Sequence, residues 1–132
     1  RRAHMYRKIG EEFIADDFAH EQSVVFETGK GLVIFNSCSH GGIVNIVREV
    51  QMALGGQKVY AVVGGFHMMK LSGMDTLAIP EEEVVETAQE LKGLGVEEIY
   101  TGHCTGNIAF GILKKELGEM VHALGTGETV VF

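Results

Sequence analysis

Short apolar runs alternate with glycine-rich turns and with helical patterns along most of this chain. Residues 23–28 and 32–35 are rich in β-branched and aromatic side chains and flank the turn 29–31, which predicts a β-hairpin. Across residues 43–54, apolar side chains recur at helical spacing and two glycines then end the pattern, which predicts a helix.

The order of strand, turn and helix continues twice more. Residues 59–63 form a continuous apolar run typical of a buried strand, and residues 97–101 predict the next strand. Between them, residues 68–79 lack periodicity and predict a loop, a candidate lid, after which a helix begins at Pro80. A last helix is predicted over residues 107–117.

This repeated pattern predicts an α/β layered fold. The tail, residues 120–123 and 128–132, predicts one or two closing strands. No linker interrupts residues 6–132, which we interpret as a single domain, and residues 1–5 are a candidate remnant of cloning. A flavodoxin-like or Rossmann-like binding module is a weaker alternative, because the glycines at 64–65 lack the G-x-G-x-x-G order.

Composition and charge exclude several classes of function. Of the 132 residues, 45% are hydrophobic and 22% are charged, which is typical of a folded globular domain. The formal net charge of -7 argues against binding to nucleic acid. No apolar stretch approaches the roughly 20 residues that span a bilayer, and no signal peptide is found. We therefore expect no nucleic acid partner, no membrane association and a cytoplasmic location.

Three histidines stand in the same context, each in a glycine-containing turn directly after an apolar run. They are His40 in Cys-Ser-His-Gly-Gly, His67 in Gly-Gly-Phe-His and His103 in Gly-His-Cys-Thr-Gly. Because such turns deliver side chains to the carboxyl edge of a sheet, we expect the three imidazoles to converge there. Neutral imidazole is a common metal ligand, so the pattern predicts a divalent metal, with zinc preferred and iron or manganese as alternatives.

Other reactive side chains stand near these histidines in the sequence. Cys38 and Cys104 could form a disulfide or supply soft metal ligands, but a pair of reduced thiols lining the pocket is favoured in a chain without an export signal. The acidic segment with Asp16, Asp17 and Glu21 is either a solvated turn or a supporting group for the site.

The turns around two of the histidines precede predicted helices. Backbone amides at a helix N-terminus attract phosphate or carboxylate groups, so we expect an anionic small-molecule substrate. Plain capping and turn formation is the alternative explanation for the same residues. The predicted substrate-binding residues are Ser39, Gly41, Gly42, Asn45, Cys104, Thr105 and Gly106.

Several segments together resemble the C-terminal half of the metallo-β-lactamase superfamily of metal-dependent hydrolases. These segments are residues 17–18, 21–23, 30–33, 38–46, 64–68 and 103–106. Within the superfamily, the chain is similar to the branch of 7,8-dihydropterin-6-methyl-4-(β-D-ribofuranosyl)-aminobenzene-5'-phosphate synthases. The resemblance implies half of an αβ/βα sandwich, a mixed sheet with helices on one face, and a centre of one or two metals at the sheet edge.

The resemblance also implies roles for the histidines. His40 would be the ligand of the third motif and His103 that of the last motif, while His67 would stand near the bridging aspartate of many relatives. The superfamily's His-x-His-x-Asp-His motif occurs nowhere in the 132 residues. Because two halves of this fold pack sheet against sheet, one half alone would expose an apolar face. We therefore expect a partner, either an N-terminal half made or cleaved separately or a second copy.

Two functions of different class follow from these patterns. The first is a metal-dependent hydrolase or synthase that acts on an anionic small molecule, such as a phosphorylated or pterin-like one, and is incomplete without the half that carries His-x-His-x-Asp-His. The alternative is a non-catalytic isolated half that self-assembles and binds metal weakly or not at all. The retained histidines favour the first function, and the missing motif favours the second for this chain alone.

Overall fold

The computed structural model describes residues 5–132, so the candidate remnant at residues 1–5 lies outside the described residues except for Met5. The strands are β1 (Tyr6–Ile9), β2 (Glu12–Ala15), β3 (Ser23–Thr28), β4 (Gly31–Cys38), β5 (Val59–Gly65), β6 (Glu98–Thr101) and β7 (Val121–Ala123). The α-helices are α1 (Ile43–Ala53), α2 (Glu81–Gly93) and α3 (Asn107–Leu117). Across residues 5–132, every helix is too short or too polar to cross a membrane.

Strands β3 to β7 form one sheet in sequence order. The predicted hairpin is confirmed: β3 and β4 pair antiparallel, and the Thr28 hydroxyl closes the turn by donating to the Gly31 carbonyl at 2.7 Å. Strands β4 to β7 are parallel, because a helix carries the chain back between successive strands. The carboxyl ends of β4, β5 and β6 therefore lie side by side at one edge of the sheet.

All three helices pack on one face of this sheet and form the main core with it. Each helix contributes a buried apolar stripe at helical spacing. The stripes are Ile43, Ile46 and Val47 in α1, Val84, Ala88 and Leu91 in α2, and Ala109, Leu113 and Leu117 in α3. Full burial of a large aliphatic side chain stabilises the fold by about 1.5–3 kcal/mol. The predicted mixed sheet with helices on one face is confirmed.

The opposite face of the sheet is apolar and only partly covered. Val33, Ala61 and Val63 are buried there beneath partly buried aromatic rings. Along β3, Val25 packs into the main core, so its neighbours Val24 and Phe26 point to this second face, where each is 56% exposed.

The tail contributes one closing strand, β7, and residues 128–132 form none. Phe132 instead packs edge-on against Phe35 and Tyr100, with ring centroids 6.0 and 5.6 Å apart. The end of the chain therefore lies across the second face of the sheet rather than pairing at its edge, which is why a second closing strand does not form.

A separate hairpin of β1 and β2 stands at the start of the described chain and was not predicted. Its strands have four residues each and all eight side chains are exposed, so no buried face gives them an alternating pattern. The available signal was Gly10, whose φ of 61° makes the tight turn between two short runs.

Candidate metal centre

Three ligand-type side chains meet at the carboxyl ends of β4, β5 and β6. Cys38 is the last residue of β4, His67 follows β5, and Cys104 lies in a short 3-10 turn after β6. Cys38 Sγ lies 3.3 Å from His67 Nδ1 and 2.7 Å from Cys104 Sγ. One ligand atom from each residue lies within 4.8 Å of the others, so these residues, here named the thiol–histidine cluster, are close enough to share an ion.

His40 stands next to this cluster. Its ring centroid lies 4.5 Å from that of His67, and its other side stacks on Phe18 at 5.8 Å. Glu21 holds His40 at two points: one carboxylate oxygen accepts the backbone N–H at 2.6 Å and lies 3.1 Å from ring Nδ1. The second oxygen accepts the N–H of Gly41 at 2.9 Å. Of the two alternatives for Glu21, the contacts favour a supporting group for the site.

His103 lies outside this meeting point. It begins the turn His103–Thr105, and its side chain is exposed. Within residues 5–132, the group able to share one ion contains Cys104 from this turn and not its neighbour His103. The structure thus brings together two of the three predicted imidazoles, and ligation by His103 stays a prediction.

His67 and His103 both have a left-handed backbone conformation, with φ of 52° and 49°. This conformation is uncommon for residues other than glycine and costs about 1–3 kcal/mol when the surroundings impose it. Strain of this kind clusters at functional sites. Glycine at residues 67 and 103 would make the same turns without this energetic cost, so the histidines are present despite the strain.

Burial, more than the neighbouring charges, favours a neutral imidazole at His67. Burial lowers the pKa of His67 below its usual value, the charge of His40 lowers it further, and the charge of Glu21 opposes both effects. Neutral imidazole is the form that binds a metal ion. Burial also raises the pKa of the Cys38 thiol, and the hydrogen bond with Cys104 and the charges of Cys104 and Glu21 raise it further.

A cavity of about 720 Å³ opens beside the two neighbouring histidines. His40 and His67 both line it, together with apolar side chains of α1 and the loop after β5. The predicted loop at residues 68–79 is confirmed, because it contains no helix or strand, and it forms part of the wall through Met68 to Ser72. Lys70 brings a positive charge to this wall.

The residues predicted to bind a substrate anion before α1 already have partners within the chain. The N–H groups of His40 and Gly41 donate to Glu21, as described above. Ser39 is buried, and its hydroxyl donates to the Gly65 carbonyl at 2.9 Å. Asn45 donates from its side-chain amide to the Gly41 carbonyl at 2.8 Å. Binding of a substrate anion by these groups stays a prediction.

The corresponding residues before α3 are also engaged. Thr105 is fully buried, accepts the N–H of Phe66 at 2.9 Å and shares a hydrogen bond of 2.6 Å with the Thr101 hydroxyl. Gly106 directly precedes α3 and Gly42 directly precedes α1, and only Gly42 of the two lines the cavity. These contacts fit turn formation, since neither α1 nor α3 has a side-chain hydrogen bond at its N-cap, and a role in substrate binding stays a prediction.

Comparisons with known proteins bear on the identity of this site. No protein-family model matches the chain. The chain is 36% identical over 128 residues to the 7,8-dihydropterin-6-methyl-4-(β-D-ribofuranosyl)-aminobenzene-5'-phosphate synthase of Methanocaldococcus jannaschii, which covers 97% of the chain and 41% of that relative. It also matches a crystal structure of a metal-dependent hydrolase of the β-lactamase superfamily, with a TM-score of 0.81 and 30% identity.

The structural match covers 96% of the chain and 46% of the hydrolase. The chain therefore spans less than half the length of both proteins. The two comparisons confirm the resemblance to the metallo-β-lactamase superfamily and the α/β fold as about half of its sandwich.

Proposed function

We propose that this chain supplies the half of a metal-dependent hydrolase or synthase that carries His40, His67 and His103 as metal ligands. The observation that carries the proposal is the place of His67, which belongs to the thiol–histidine cluster and also lines the cavity of about 720 Å³. Sites of a few hundred to about 1,000 Å³ suit small-molecule ligands. A metal held here would therefore face a space of the size that a small substrate needs.

The donor set fits a divalent metal, with zinc preferred and iron or manganese as alternatives. Nδ1 of His40 lies 3.1 Å from a Glu21 oxygen, an arrangement that fixes the ring and leaves Nε2 as its ligand atom. His103 remains among the proposed metal ligands because its backbone is strained, with φ of 49°. Glycine would make the same turn without strain, so a functional role for the imidazole accounts for the histidine. Such a metal, when bound, supplies Lewis acidity and lowers the pKa of water.

The cavity supports an anionic substrate that also has an apolar or aromatic part. Apolar side chains such as Ile43, Phe66 and Ile79 make up much of the wall. Its charged side chains are Lys70 and Glu83, one of each sign, and Lys70 is the one proposed to contact an anion. A phosphorylated pterin-like compound, the class that the name of the Methanocaldococcus relative indicates, has both a flat ring and an anionic group. In this proposal the ring contacts the apolar wall, and Ser39 and Gly42, the predicted substrate-binding residues that line the cavity, lie on the anion's side.

The partner is proposed to cover the second face of the sheet. Val24 and Phe26 are each 56% exposed there, next to half-buried aromatic rings. An apolar face of this kind favours contact with another protein surface. A half of the superfamily fold that carries His-x-His-x-Asp-His is the preferred occupant, and a second copy of this chain is the alternative.

A non-catalytic self-assembling half is the second candidate function, and the exposed second face of the sheet is the observation that favours it. The two functions differ in metal content. We expect the purified chain, after incubation with zinc or iron and removal of excess metal, to retain about one ion per chain by elemental analysis.

A double variant, His40→Ala with His67→Asn, is expected to lose this metal. Asparagine tolerates the left-handed backbone at residue 67, which preserves the turn. His20→Asn is the matched control, because its side chain is 69% exposed and lies outside the cluster. Wild-type chain that stays free of metal after this treatment would contradict the hydrolase proposal and support the assembly function.

A further inference from the structure

Both cysteines of the sequence lie at the same point of the sheet edge, although 66 positions separate them. Their sulfur atoms are 2.7 Å apart, and the sulfur of Cys38 is 3.3 Å from Nδ1 of His67. Two thiols and an imidazole are a donor set that suits soft and borderline metal ions. The three residues come from the ends of three adjacent strands, so the sheet itself sets their spacing.

The sulfur of Cys104 accepts a hydrogen bond and is closely surrounded by backbone. The backbone N–H of His67 donates to Cys104 Sγ at 3.2 Å. The neighbouring strand has glycine at residue 65, where a Cβ would lie 2.5 Å from the same sulfur. A thiol that only fills the core needs neither an N–H donor nor an imidazole near it. These contacts fix the sulfur of Cys104 at the sheet edge, where it is close enough to share an ion with Cys38 and His67.

We propose that Cys38, His67 and Cys104 together bind one metal ion through two thiolates and an imidazole. The inference rests on the proposed function in sharing His67 with it, and it adds that the ion is thiophilic. Zn²⁺, Fe²⁺ and Co²⁺ fit two sulfur ligands and one nitrogen ligand, whereas Mg²⁺ and Ca²⁺ prefer oxygen.

Binding changes the sulfur pair in a defined way. Two S–H bonds break, their protons pass to the solvent, and two sulfur–metal bonds form, so the metal and the sulfurs keep their oxidation states. Zinc–sulfur bonds are about 2.3 Å long, which places two sulfurs of a tetrahedral site about 3.7 Å apart. The sulfurs therefore separate by about 1 Å from their present 2.7 Å as the ion enters between them.

Cobalt provides a test that does not depend on enzymatic activity. The reduced chain is titrated with Co²⁺ under a phosphine reductant, and thiolate-to-cobalt charge-transfer absorption is recorded in the near ultraviolet. We expect this absorption to saturate at one Co²⁺ per chain and to disappear when Zn²⁺ is added. In Cys38→Ser and in Cys104→Ser we expect weaker absorption and a lower affinity for Co²⁺. Loss of a group that only hydrogen-bonds to a metal ligand typically lowers affinity by about 10–100-fold, so loss of a ligand should lower it by at least that much.

Two further variants separate this inference from the proposed function. His20→Asn should bind Co²⁺ as the wild type does. His40→Ala removes a ligand of the proposed function, so it should weaken Co²⁺ binding but leave the thiolate absorption of the ion that stays bound, whereas loss of Cys38 or Cys104 should weaken the absorption itself. Cys38→Ser is informative if Cys104→Ser fails to fold, since Cys38 is only partly buried.

Cobalt bound without thiolate absorption, or absorption unchanged in the Cys38→Ser, Cys104→Ser double variant, would overturn the proposed sulfur ligands. The hydrolase proposal would survive that result if metal binding were still reduced in His40→Ala, because His40 belongs to the proposed function and not to the sulfur site. Failure to bind Co²⁺ at all, or a chain mass lower by two hydrogens that reveals a disulfide under the reductant, would also overturn the sulfur site.

Discussion

Glu21 fixes the position of His40 from two directions: a single carboxylate oxygen lies 2.6 Å from the backbone nitrogen of His40 and 3.1 Å from ring Nδ1. The two residues are 19 positions apart in sequence. A carboxylate on one ring nitrogen sets the tautomer and directs the other nitrogen outward, as in many carboxylate–histidine–metal arrangements. The pair therefore gives the first of four testable predictions.

Replacement of Glu21 by glutamine should weaken metal binding. Glutamine keeps one oxygen for the backbone amides but removes the negative charge beside the His40 ring, so we expect about a 10–100-fold loss of zinc affinity. The measurement is a competition titration against a chromophoric chelator. Glu11→Gln, in the exposed turn after β1, is the control and should keep the affinity of the wild type. Equal affinities for the two variants would show that Glu21 does not position a ligand.

Replacement of Gly65 by alanine should destabilise the fold. The added Cβ would lie 2.5 Å from Cys104 Sγ and 3.0 Å from the Ser37 carbonyl oxygen, so atoms at the sheet edge must shift. Overpacking of this kind costs about 1–3 kcal/mol in the free energy of unfolding, which urea denaturation measures. Gly93→Ala at the end of α2 is the matched control, because its Cβ would have no atom within 4 Å. A loss of stability in the control as large as that at Gly65 would contradict the steric explanation.

The stability of the metal-free chain should fall as the pH drops from about 7.5 towards 5.5. The pKa of His67 is lowered in the folded chain, chiefly by burial and then by the charge of His40, while Glu21 opposes the shift. The unfolded chain therefore binds a proton near the usual histidine pKa of about 6.5 and the folded chain does so only at lower pH. Because the unfolded state holds more protons in this window, the free energy of unfolding rises with pH.

Urea denaturation at several pH values, with a chelator present, measures this dependence. His67→Asn removes the titrating ring and should flatten the slope, whereas His20→Asn should leave it unchanged. Other groups that face the ring, namely His40, Glu21 and Cys38, remain in both variants. If the free energy of unfolding of His67→Asn depends on pH as steeply as that of the wild type, the effect belongs to these neighbours and not to His67.

Charged substitutions on the second face of the sheet should reduce self-association. Val24 and Phe26 are each 56% exposed, and an apolar face of this kind favours contact with another surface. We expect light scattering coupled to size-exclusion chromatography to show an oligomer for the wild-type chain and a monomer for Val24→Lys, Phe26→Glu. Met52→Gln is the control, because Met52 is 75% exposed on α1, whose stripe packs on the other side of the sheet. A monomeric wild-type chain, or a loss of association in Met52→Gln, would contradict the prediction that the chain associates with itself through the second face.

Periodicity in the sequence predicted the main sheet and its helices because each element has a buried face. The stretches that became α1 and α3 place apolar residues at helical spacing, and β5 is a continuous apolar run, so both patterns reflect burial directly. The hairpin of β1 and β2 was not predicted because all eight of its strand residues are exposed, so no buried face imposes an alternating pattern on the sequence. The tail was interpreted as a candidate strand because nothing in its own pattern reveals the distant rings of Phe35 and Tyr100 that Phe132 contacts.

The sequence predicted that the three turns meet at one edge of the sheet, whereas metal ligation by His40, His67 and His103 stays a prediction. The sequence indicated that residues after β4, β5 and β6 meet, and they do, but it could not show which side chain of each turn points to the sheet edge. In the turn His103–Thr105, Cys104 is buried at the cluster and His103 is exposed. A 3-10 turn directs successive side chains to different sides, so a shift of one residue exchanges a nitrogen donor for a sulfur donor.

If the proposed ion binds, the ladder of parallel strands makes its binding a late event in the synthesis of the chain. Cys38 and His67 are 29 positions apart and His67 and Cys104 are 37 apart, so a ribosome must release the chain beyond residue 104 before all three can assemble. Shorter nascent fragments offer a single thiol, Cys38, and imidazoles that no completed sheet holds together, and such a set holds an ion weakly. An ion captured after the sheet closes then stabilises the finished fold by mass action, and its departure accompanies unfolding.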